Sequence, residues 1–334
     1  MSKVKKIDLA LQGGGAHGAY SWGVIDRLLD EPEVEIDGVC GTSAGAMNGV
    51  CTVYGLRKGG RNMAKHILVK FWHRISEAGK LSAPQPTWID KMMSPGNMDF
   101  SPMYRFFNLT AETMSPSQFN PLGINPLEKI LNDLVDFDEL QKLNPPKLFV
   151  CATNVKTCEA KVFGPKEITS KAILASACLP YLFKAVEING EYYWDGGYMG
   201  NPPLWPLTEG TVDTDDILLV KVNPFIINKV PENVEEIKDR VNEISFNSAL
   251  AHEIKHLEFI NGLLEKGINP DGKLKKINLH CLSADKNLQE FNLSSKLNTN
   301  WDFLMHLKEL GYKACDSWLK ANYDNIGKQS SFHL

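Results

Sequence analysis

The sequence predicts an α/β fold with a mainly parallel central sheet. An apolar run at residues 5–11 leads into a glycine cluster, and helical spacing follows from about 18 to 29. A short strand at 37–40 leads into a second helix at 44–54. This strand–helix–strand–helix opening is typical of parallel strands joined by helices. Buried-type strands are also expected further along, at 147–154, 161–164, 216–222 and 275–282.

Composition bounds the class of protein before any motif is considered. The chain has 334 residues, of which 43% are hydrophobic and 23% charged, which is ordinary for a globular protein with a large core. The net charge of −4 argues against a nucleic-acid-binding protein, whose domain is usually basic. No nucleic-acid partner is therefore expected.

Cysteine usage and the N-terminus indicate the compartment. The seven cysteines are odd in number and scattered, with no Cys-x-x-Cys pair, so we expect free thiols in a reducing environment. The basic start lacks the apolar region of a signal peptide, and no apolar run approaches the ~18 residues that span a bilayer. We expect a cytoplasmic protein that can still act peripherally at a membrane.

The composition changes between residues 81 and 126. Seven of the 18 prolines and five of the ten methionines lie there, interleaved with aromatic residues. Proline argues against long helices and central strands, so an irregular insertion is expected. It is either packed against the core or a lid that contacts acyl chains, since methionine and aromatic surfaces adapt to apolar ligands.

Regular structure is expected again after the insertion. Helices are predicted at 126–140 and 170–177, and a hairpin over EINGEYYWDGG. We expect residues 1–228 to form a catalytic domain that contains the 81–126 insertion. Residues 229–334 are expected to form a helical extension, with one strand at 275–282, packed on the same domain.

The segment GTSAG, residues 41–45, matches the G-x-S-x-G nucleophile elbow and lies between a predicted strand and a helix. The serine of such a turn has strained backbone angles, so small neighbours such as Gly41 and Gly45 are needed. The positive end of the following helix favours negative charge near the serine. Ser43 is therefore the candidate nucleophile.

The run QGGGAHG, residues 12–18, admits two interpretations. Backbone N–H groups of Gly13, Gly14 and Gly15 can stabilise an oxyanion, a contribution of ~100–1,000-fold in rate per donor. Gly13, Gly15 and Gly18 also satisfy G-x-G-x-x-G, a dinucleotide-binding fingerprint, with Asp37 near the expected acidic position. Asp37, however, opens its predicted strand, and the other end of that strand is occupied by GTSAG.

The base that activates Ser43 is not a histidine on the familiar scaffold. Histidines are available late in the chain, but the α/β-hydrolase fold has several strands before its nucleophile, whereas one strand–helix unit precedes Ser43. Asp195, in the segment Asp195-Gly196-Gly197, is an acidic candidate.

The motifs QGGGAHG, GTSAG and DGG in this order resemble the patatin-like phospholipase family, in its bacterial form. ILASACLPYLF, residues 173–183, is similar to the family's small-residue helix before the aspartate. The resemblance implies a three-layer α/β/α sandwich and a serine lipid acyl hydrolase of phospholipase A, lysophospholipase or esterase type. Ser43 and Asp195 would form the catalytic dyad, and Gly13, Gly14 and Gly15 the oxyanion loop.

Other residues of the motifs would support that site. They are His17, Gly41, Gly45, Gly196 and Gly197. Family members often carry Arg or Lys where this chain has His17, which is only partly charged near neutral pH. The expected partner is a lipid or a membrane surface, with no cofactor and with a homodimer as an open alternative.

The segment HEIKH, residues 252–256, matches the zinc signature H-E-x-x-H and provides a further alternative, a metalloprotease. Its helix has an apolar stripe through Ile244, Leu250, Ile254, Leu257 and Leu264. At ~100° per residue, His252 and His256 face away from Ile254, which favours a solvated face and no metal site.

Overall fold

A computed structural model describes residues 4–121, 123–143 and 145–334 of the chain. Eight strands form one sheet in the order β5-β6-β3-β2-β1-β7-β8, with β4 also paired to β3. The strands are β1 (Lys5–Leu11), β2 (Val34–Thr42), β3 (Lys147–Asn154), β4 (Ala160–Phe163), β5 (Val186–Ile188), β6 (Glu191–Asp195), β7 (Asp216–Lys221) and β8 (Asn278–Ser283).

Helices flank this sheet. They are α1 (Gly18–Leu29), α2 (Ala44–Ser82), α3 (Trp88–Met93), α4 (Pro102–Thr113), α5 (Pro116–Phe119), α6 (Pro126–Leu134), α7 (Phe137–Lys142), α8 (Ser170–Ser176), α9 (Trp205–Thr208), α10 (Val234–Glu265), α11 (Asp285–Leu288) and α12 (Trp301–Asn322). No described helix combines the length and the apolar character needed to cross a membrane.

The central strands are parallel and the strands at one edge are antiparallel. β1 pairs in parallel with β2 and β7, and the parallel set continues to β3 and β8. β3 is antiparallel to β4 and β6, and β6 to β5. Alternate residues of β1 face two apolar cores, with Leu9 and Leu11 on one side and Ala10 on the other. The predicted mainly parallel α/β/α sandwich is confirmed.

Strand β2 and helix α2 are both longer than the sequence indicated. β2 extends to Thr42, so that Ser43 comes directly at its end. α2 continues well beyond the predicted end near residue 54, with a kink at Gly59 and Gly60. Gly60 has φ of 73°, a conformation that glycine adopts without steric cost and that interrupts regular helix without ending the element.

The single helix predicted over 126–140 is two helices. Val135 is extended, with φ of −125° and ψ of 120°, and separates α6 from α7. The Asp136 side chain then accepts a hydrogen bond from the backbone N–H of Glu139 and caps α7. The prediction was wrong because the spacing of apolar residues continues across the break. It does not reveal that one extended residue ends the first helix and that the next residue caps a second one.

The insertion at 81–126 contains short helices between its prolines. Pro102 and Pro116 each occupy the first turn of a helix, where the missing N–H group costs no hydrogen bond. Ser101 caps α4 by accepting from the N–H of Tyr104. Thr87 and Asp90 form a capping box at α3. Proline thus positions helix starts here and keeps the helices short.

The last third of the chain is part of the same sheet and core. β8 pairs with β7 along its whole length. Helix α12 packs against α1, and its Leu304, Leu307 and Trp318 join the core that contains β1. All seven cysteines are free, as predicted.

Candidate active site

Ser43 lies on the turn between β2 and α2. Its backbone has φ of 55° and ψ of −121°, outside the regions that a side chain normally favours, so the turn is strained. The N–H of Ser43 donates to Ser176 Oγ of α8 at 2.8 Å, which holds the turn from the neighbouring layer. The side chain is partly exposed and therefore accessible.

Two glycines let this turn pack tightly against the end of β1. A Cβ atom on Gly45 would lie 2.1 Å from the carbonyl oxygen of Leu11, and one on Gly13 would lie 2.7 Å from Ser43 Cβ. Any larger residue at either position would push the glycine run away from the serine. Gly41, in the same turn, is equally crowded by the backbone of Gly45.

Asp195 comes to the same place from the antiparallel edge of the sheet. It is the last residue of β6 and is paired with Ala152 of β3, the strand next to β2. Its side chain is fully buried. Oδ1 accepts a hydrogen bond from the N–H of Gly197 at 2.7 Å, and Oδ2 has no hydrogen-bond partner in the described part of the chain.

The environment of Asp195 makes its carboxylate a stronger base than usual. Burial raises the pKa to about 7, while the N–H of Gly197 and the hydroxyl of Ser43 act in the opposite direction. The Ser43 hydroxyl is thus near the carboxyl, although no hydrogen bond of standard geometry joins them. Such bonds are often long before substrate binds.

Gly196 and Gly197 form a tight turn directly after Asp195, over Gly196–Tyr198. A Cβ on Gly196 would lie 2.2 Å from the carbonyl oxygen of Cys151, and one on Gly197 would meet the ring of Phe246. The turn is therefore enclosed by β3 on one side and by α10 on the other.

Gly13 is held in place by two asparagine side chains. Its N–H donates to Asn201 Oδ1 at 2.7 Å, and its carbonyl oxygen accepts from Asn223 Nδ2 at 2.7 Å. Both peptide groups next to this residue are thus fixed. Because the Gly13 N–H is already used, it is not free to bind an oxyanion in this conformation.

The next two residues of the run are more open. Gly14 is partly exposed and Gly15 is exposed. The N–H groups of Gly14 and Gly15 donate to no acceptor within the residues that the structure describes. Both groups are therefore available to donate to a substrate.

His17 is buried under the glycine run and is not a cation. Its Nε2 lies 2.7 Å from Ser295 Oγ, and Nδ1 has no hydrogen-bond partner among the described residues. Burial and the positive charge of Lys296 lower its pKa to about 3. His17 is therefore neutral at physiological pH and supports the loop by packing.

The positive charge near the glycine run comes instead from Lys296, which the sequence did not suggest. Its Nζ donates to Asn223 Oδ1 at 2.8 Å, and Asn223 in turn binds the Gly13 carbonyl. Its own carbonyl oxygen would lie 2.3 Å from a Cβ on Gly15. Burial lowers the pKa of Lys296, and the carboxylates of Glu243 and Asp239 act in the opposite direction.

Gln12 connects the same loop to α10. Its Oε1 accepts from the N–H groups of Val222 and Asn223, each at 2.9 Å. Its Nε2 donates to Asn247 Oδ1 at 2.8 Å. The glycine run is therefore braced by the end of β7 and by the last third of the chain.

The dinucleotide alternative finds no support in this geometry. β2 begins at Val34, so Asp37 does not open the strand as predicted. It is the fourth of nine residues, six positions before Ser43 and on the side away from the glycine run. Its carboxylate binds Lys6 Nζ at 3.2 Å and accepts from the N–H of Asp213 at 2.7 Å. A ribose beside the glycines could not reach it.

The HEIKH segment lies on α10 and serves the fold. His252 and His256 are exposed, as the helical spacing predicted. The carboxylate of Glu253 accepts from the N–H groups of Leu204 and Trp205, at 2.6 and 3.2 Å, and so holds the start of α9. Among the described residues, no three His, Cys, Asp or Glu side chains converge as a metal site.

Comparison with known families identifies the family of the chain. The family model described as patatin-like phospholipase matches residues 9–208, a range that includes the glycine run, Ser43 and Asp195. The chain belongs to the patatin-like phospholipase family, whose members are hydrolases that act on ester bonds of lipids. No curated protein matches the chain.

Solved structures also resemble this fold. VipD from Legionella pneumophila aligns with a TM-score of 0.46 and 17% identity, over 96% of this chain and 67% of that one. The type III effector ExoU aligns with a TM-score of 0.36 and 16% identity, over 96% of this chain and 54% of that one. The chain thus spans about half the length of ExoU.

Proposed function

We propose that this protein hydrolyses lipid acyl esters with Ser43 as the nucleophile and Asp195 as the base. One observation carries the proposal. A partly exposed serine on a strained turn lies beside a fully buried carboxylate, of which one oxygen has no partner in the described part of the chain. The pKa of that carboxyl, raised to about 7, leaves it able to gain and lose a proton near neutral pH.

The reaction begins with proton transfer within the dyad. The Ser43 hydroxyl proton moves to Asp195 Oδ2 as Oγ forms a bond to the ester carbonyl carbon. The carbonyl oxygen becomes an oxyanion. When the tetrahedral intermediate collapses, the alcohol leaves with the proton from Asp195, and an acyl-enzyme remains.

The oxyanion is stabilised by groups that are fixed before substrate binds. The N–H groups of Gly14 and Gly15 are the donors. Helix α2 begins directly after Ser43, so its positive N-terminal end also favours negative charge there. Asn201 and Asn223 hold Gly13 and thereby orient the peptides that follow it. Preorganised donors of this kind compensate for a carboxylate being a weak base for an alcohol.

Water then completes the cycle. Asp195 takes a proton from a water molecule, whose oxygen attacks the acyl carbon, and the oxyanion forms again in the same place. Collapse releases the fatty acid and returns the proton to Ser43 Oγ. Phospholipase A, lysophospholipase and simple esterase activity each cleave a carboxylic ester bond. All three therefore use the same steps.

The catalytic unit extends beyond residues 1–228. We include 229–334 in it because β8 completes the sheet and Lys296 contacts the glycine run. The cytoplasmic location and the homodimer stay predictions.

Active-site labelling tests the proposal directly. A fluorophosphonate probe should label the wild-type chain at Ser43, and Ser43→Ala should abolish labelling. Released fatty acid should then be measured from phosphatidylcholine, lysophosphatidylcholine and a short-chain p-nitrophenyl ester. Equal release by the wild type and Ser43→Ala would refute the nucleophile, and retained activity in Asp195→Asn would refute the base.

A further inference from the structure

The C-terminal end of α8 accepts a hydrogen bond from each member of the proposed dyad. Ser176, the last residue of α8, accepts at Oγ from the N–H of Ser43 at 2.8 Å. Two residues later, the carbonyl oxygen of Cys178 accepts from the N–H of Asp195, also at 2.8 Å. Ser43 follows β2 and Asp195 ends β6, and β3 lies between these two strands in the sheet. Residues 176–178, which we name the α8 end, therefore link the two residues across a strand.

The bond from Ser43 holds a strained peptide. Ser43 has φ of 55°, in a region that residues with a side chain rarely adopt. Such a backbone persists only where the surrounding structure fixes it on several sides. The carbonyl oxygen of Ser43 accepts from the N–H of Met47, in the first turn of α2, and its N–H group is fixed by Ser176. Without the Ser176 hydroxyl, one side of the strained peptide would be free to relax.

The Ser176 hydroxyl bonds to this turn and not to its own helix. A serine or threonine inside a helix often donates to the carbonyl oxygen four residues earlier. Thr52 in α2 and Ser245 in α10 make this bond, at 2.7 and 2.8 Å. Ser176 makes no such bond within the residues that the structure describes. A role within α8 therefore does not explain the hydroxyl.

A polar side chain is also unusual at this point of α8. The four preceding residues, Ala172, Ile173, Leu174 and Ala175, all belong to the main apolar core, and Ser176 is itself fully buried. Burying a hydroxyl costs free energy unless the group has a partner. The N–H of the catalytic turn is that partner. The serine is therefore explained by the turn that it contacts.

The backbone of Asp195 is held on both sides. Its N–H donates to the Cys178 carbonyl oxygen, and its own carbonyl oxygen accepts from Thr153 Oγ1 of β3 at 2.8 Å. Cys178 is itself fixed, because its Sγ donates to the carbonyl oxygen of Lys184 at 3.1 Å. The base thus has a fixed place relative to the α8 end, and the other bond of that segment gives the nucleophile a place relative to the same segment.

We propose that Ser176 is a positioning residue, which together with the Cys178 carbonyl group sets the distance between nucleophile and base. The inference rests on the proposed function, since it assigns a role within that same reaction. Asp195 Oδ2 has no hydrogen-bond partner in the described part of the chain, so the nucleophile must be held within its reach. A displacement of ~1 Å can lower a rate by ~100-fold. Ser176 acts through the backbone of Ser43 and exchanges no proton with the substrate.

Steady-state kinetics with a dissolved short-chain p-nitrophenyl ester test this role. Ser176→Ala removes the acceptor and suits the apolar surroundings, so it should lower kcat by about tenfold or more and leave KM within about twofold. Ser76→Ala is the matched control, because Ser76 is also a buried helical serine and its hydroxyl has no partner among the described residues. The kcat of this control should stay within about twofold of the wild type.

A second pair of variants separates the hydroxyl from the volume of the side chain. Threonine and valine have nearly the same shape, so any overpacking is common to Ser176→Thr and Ser176→Val. Only threonine retains the acceptor, and kcat should be about fivefold or more higher in Ser176→Thr. Circular dichroism and urea unfolding would establish that each variant is folded. Equal kcat in this pair, or a wild-type kcat in folded Ser176→Ala, would overturn the proposal.

The pH profile distinguishes positioning from a change in the environment of Asp195. Ser176→Ala should lower kcat/KM at every pH and keep the acidic limb near pH 7, because the burial that raises the pKa of Asp195 is unchanged. A limb displaced by about one pH unit or more toward lower pH would show instead that water reaches the carboxylate. That outcome would also overturn the proposal.

The wild type separates this inference from the proposed function. If a fluorophosphonate did not label the wild-type chain at Ser43 and no ester were hydrolysed, the proposed function and the positioning role would fail together. If the wild type were labelled and active while Ser176→Ala matched it in kcat, only the positioning role would be refuted.

Discussion

Two fully buried aspartates, Asp195 in β6 and Asp8 in β1, meet very different surroundings. Burial raises the pKa of both carboxyls, to about 7 for Asp195 and about 8 for Asp8. Asp195 has one oxygen held by Gly197 and the other free near Ser43. Neither oxygen of Asp8 makes a hydrogen bond of standard geometry in the described part of the chain. The charge of Asp37 raises its pKa further, whereas the charge of Lys275 and the N–H of Gly38 act in the opposite direction.

The comparison distinguishes the destabilisation that any buried carboxylate causes from the catalytic role that its neighbours can give it. A buried carboxylate destabilises the folded state wherever it occurs. Beside Asp195, however, the fold places the hydroxyl of Ser43, the proposed nucleophile, and the N–H of Gly197, which holds one oxygen. Asp8 instead has the carboxylate of Asp37 near it, which opposes its ionisation. A raised pKa alone is therefore not a sign of catalysis, and the neighbouring groups decide.

The largest expected contrast is in turnover. Asp195→Asn removes the base and should lower hydrolysis of a short-chain ester by roughly 10³-fold or more, as should Ser43→Ala. Asp8→Asn is the matched control, because it makes the same change at another buried aspartate, and it should stay within about threefold of the wild type. Comparable losses in Asp8→Asn and Asp195→Asn would remove the distinction.

The next contrast is in pH dependence. Asp195 must be ionised to accept a proton, so kcat/KM should fall as pH decreases through about 7. Well below that value the loss should approach tenfold per pH unit. The profile of Asp8→Asn should coincide with that of the wild type. An acidic limb near the ordinary aspartate pKa of ~3.9 would show that Asp195 is not the titrating base.

The free energy of unfolding should change with pH in the opposite direction to kcat/KM. The change should be largest for the ionisation of Asp8. Its folded-state pKa, about 8, lies above that of the unfolded chain. Between these values the unfolded state holds fewer protons, so the free energy of unfolding falls as pH rises, and the cost is complete above pH 8. Asp8→Asn removes this dependence.

Urea unfolding at several pH values measures that effect. The advantage of Asp8→Asn over the wild type should widen between about pH 4 and 8, by at most ~1.4 kcal/mol per pH unit, and then level off. Asp195→Asn should show the same trend, complete nearer to pH 7. If the difference in free energy of unfolding between variant and wild type did not change with pH, ionisation of neither carboxyl would destabilise the folded state.

The smallest expected effect concerns the side chains that hold the glycine run in place. Lys296→Met should lower kcat about tenfold with little change in KM, because Asn223 loses the contact that orients it toward Gly13. Lys320→Met, an exposed lysine on α12, is the control. Lys296→Arg should recover part of the lost kcat. An equal kcat in Lys296→Met and the wild type would contradict the role of Lys296 in holding the glycine run.

Local features of the fold were predictable from sequence. β1, α1 and β3 have the predicted bounds, because continuous apolar runs and helical spacing are signals within a few residues. Ser43 and the glycine run were also recognisable, since a strained turn requires small residues at fixed spacing. Asp195 needed the family resemblance, because an Asp-Gly-Gly turn is common.

Other features depend on contacts between distant parts of the chain. Asn201 and Asn223 bind Gly13 from 188 and 210 residues away, and Lys296 reaches Asn223 over 73 residues. Nothing in their local sequence marks these side chains. Spacing identified Ile244 as apolar but could not show that its side chain is 54% exposed, while the ring of Phe246 and the amide of Asn247 face the protein.

The position of Lys296 has a consequence for the order of events during synthesis. Residues up to 223 can emerge from the ribosome and pair their strands while the segment that packs against Gly15 is still unmade. The glycine run then lacks its outer wall until residue 296 has left the tunnel. A nascent chain would thus carry Ser43 beside a glycine run that is not yet held in its final position, and the proposed active site would be complete only after translation of the last third.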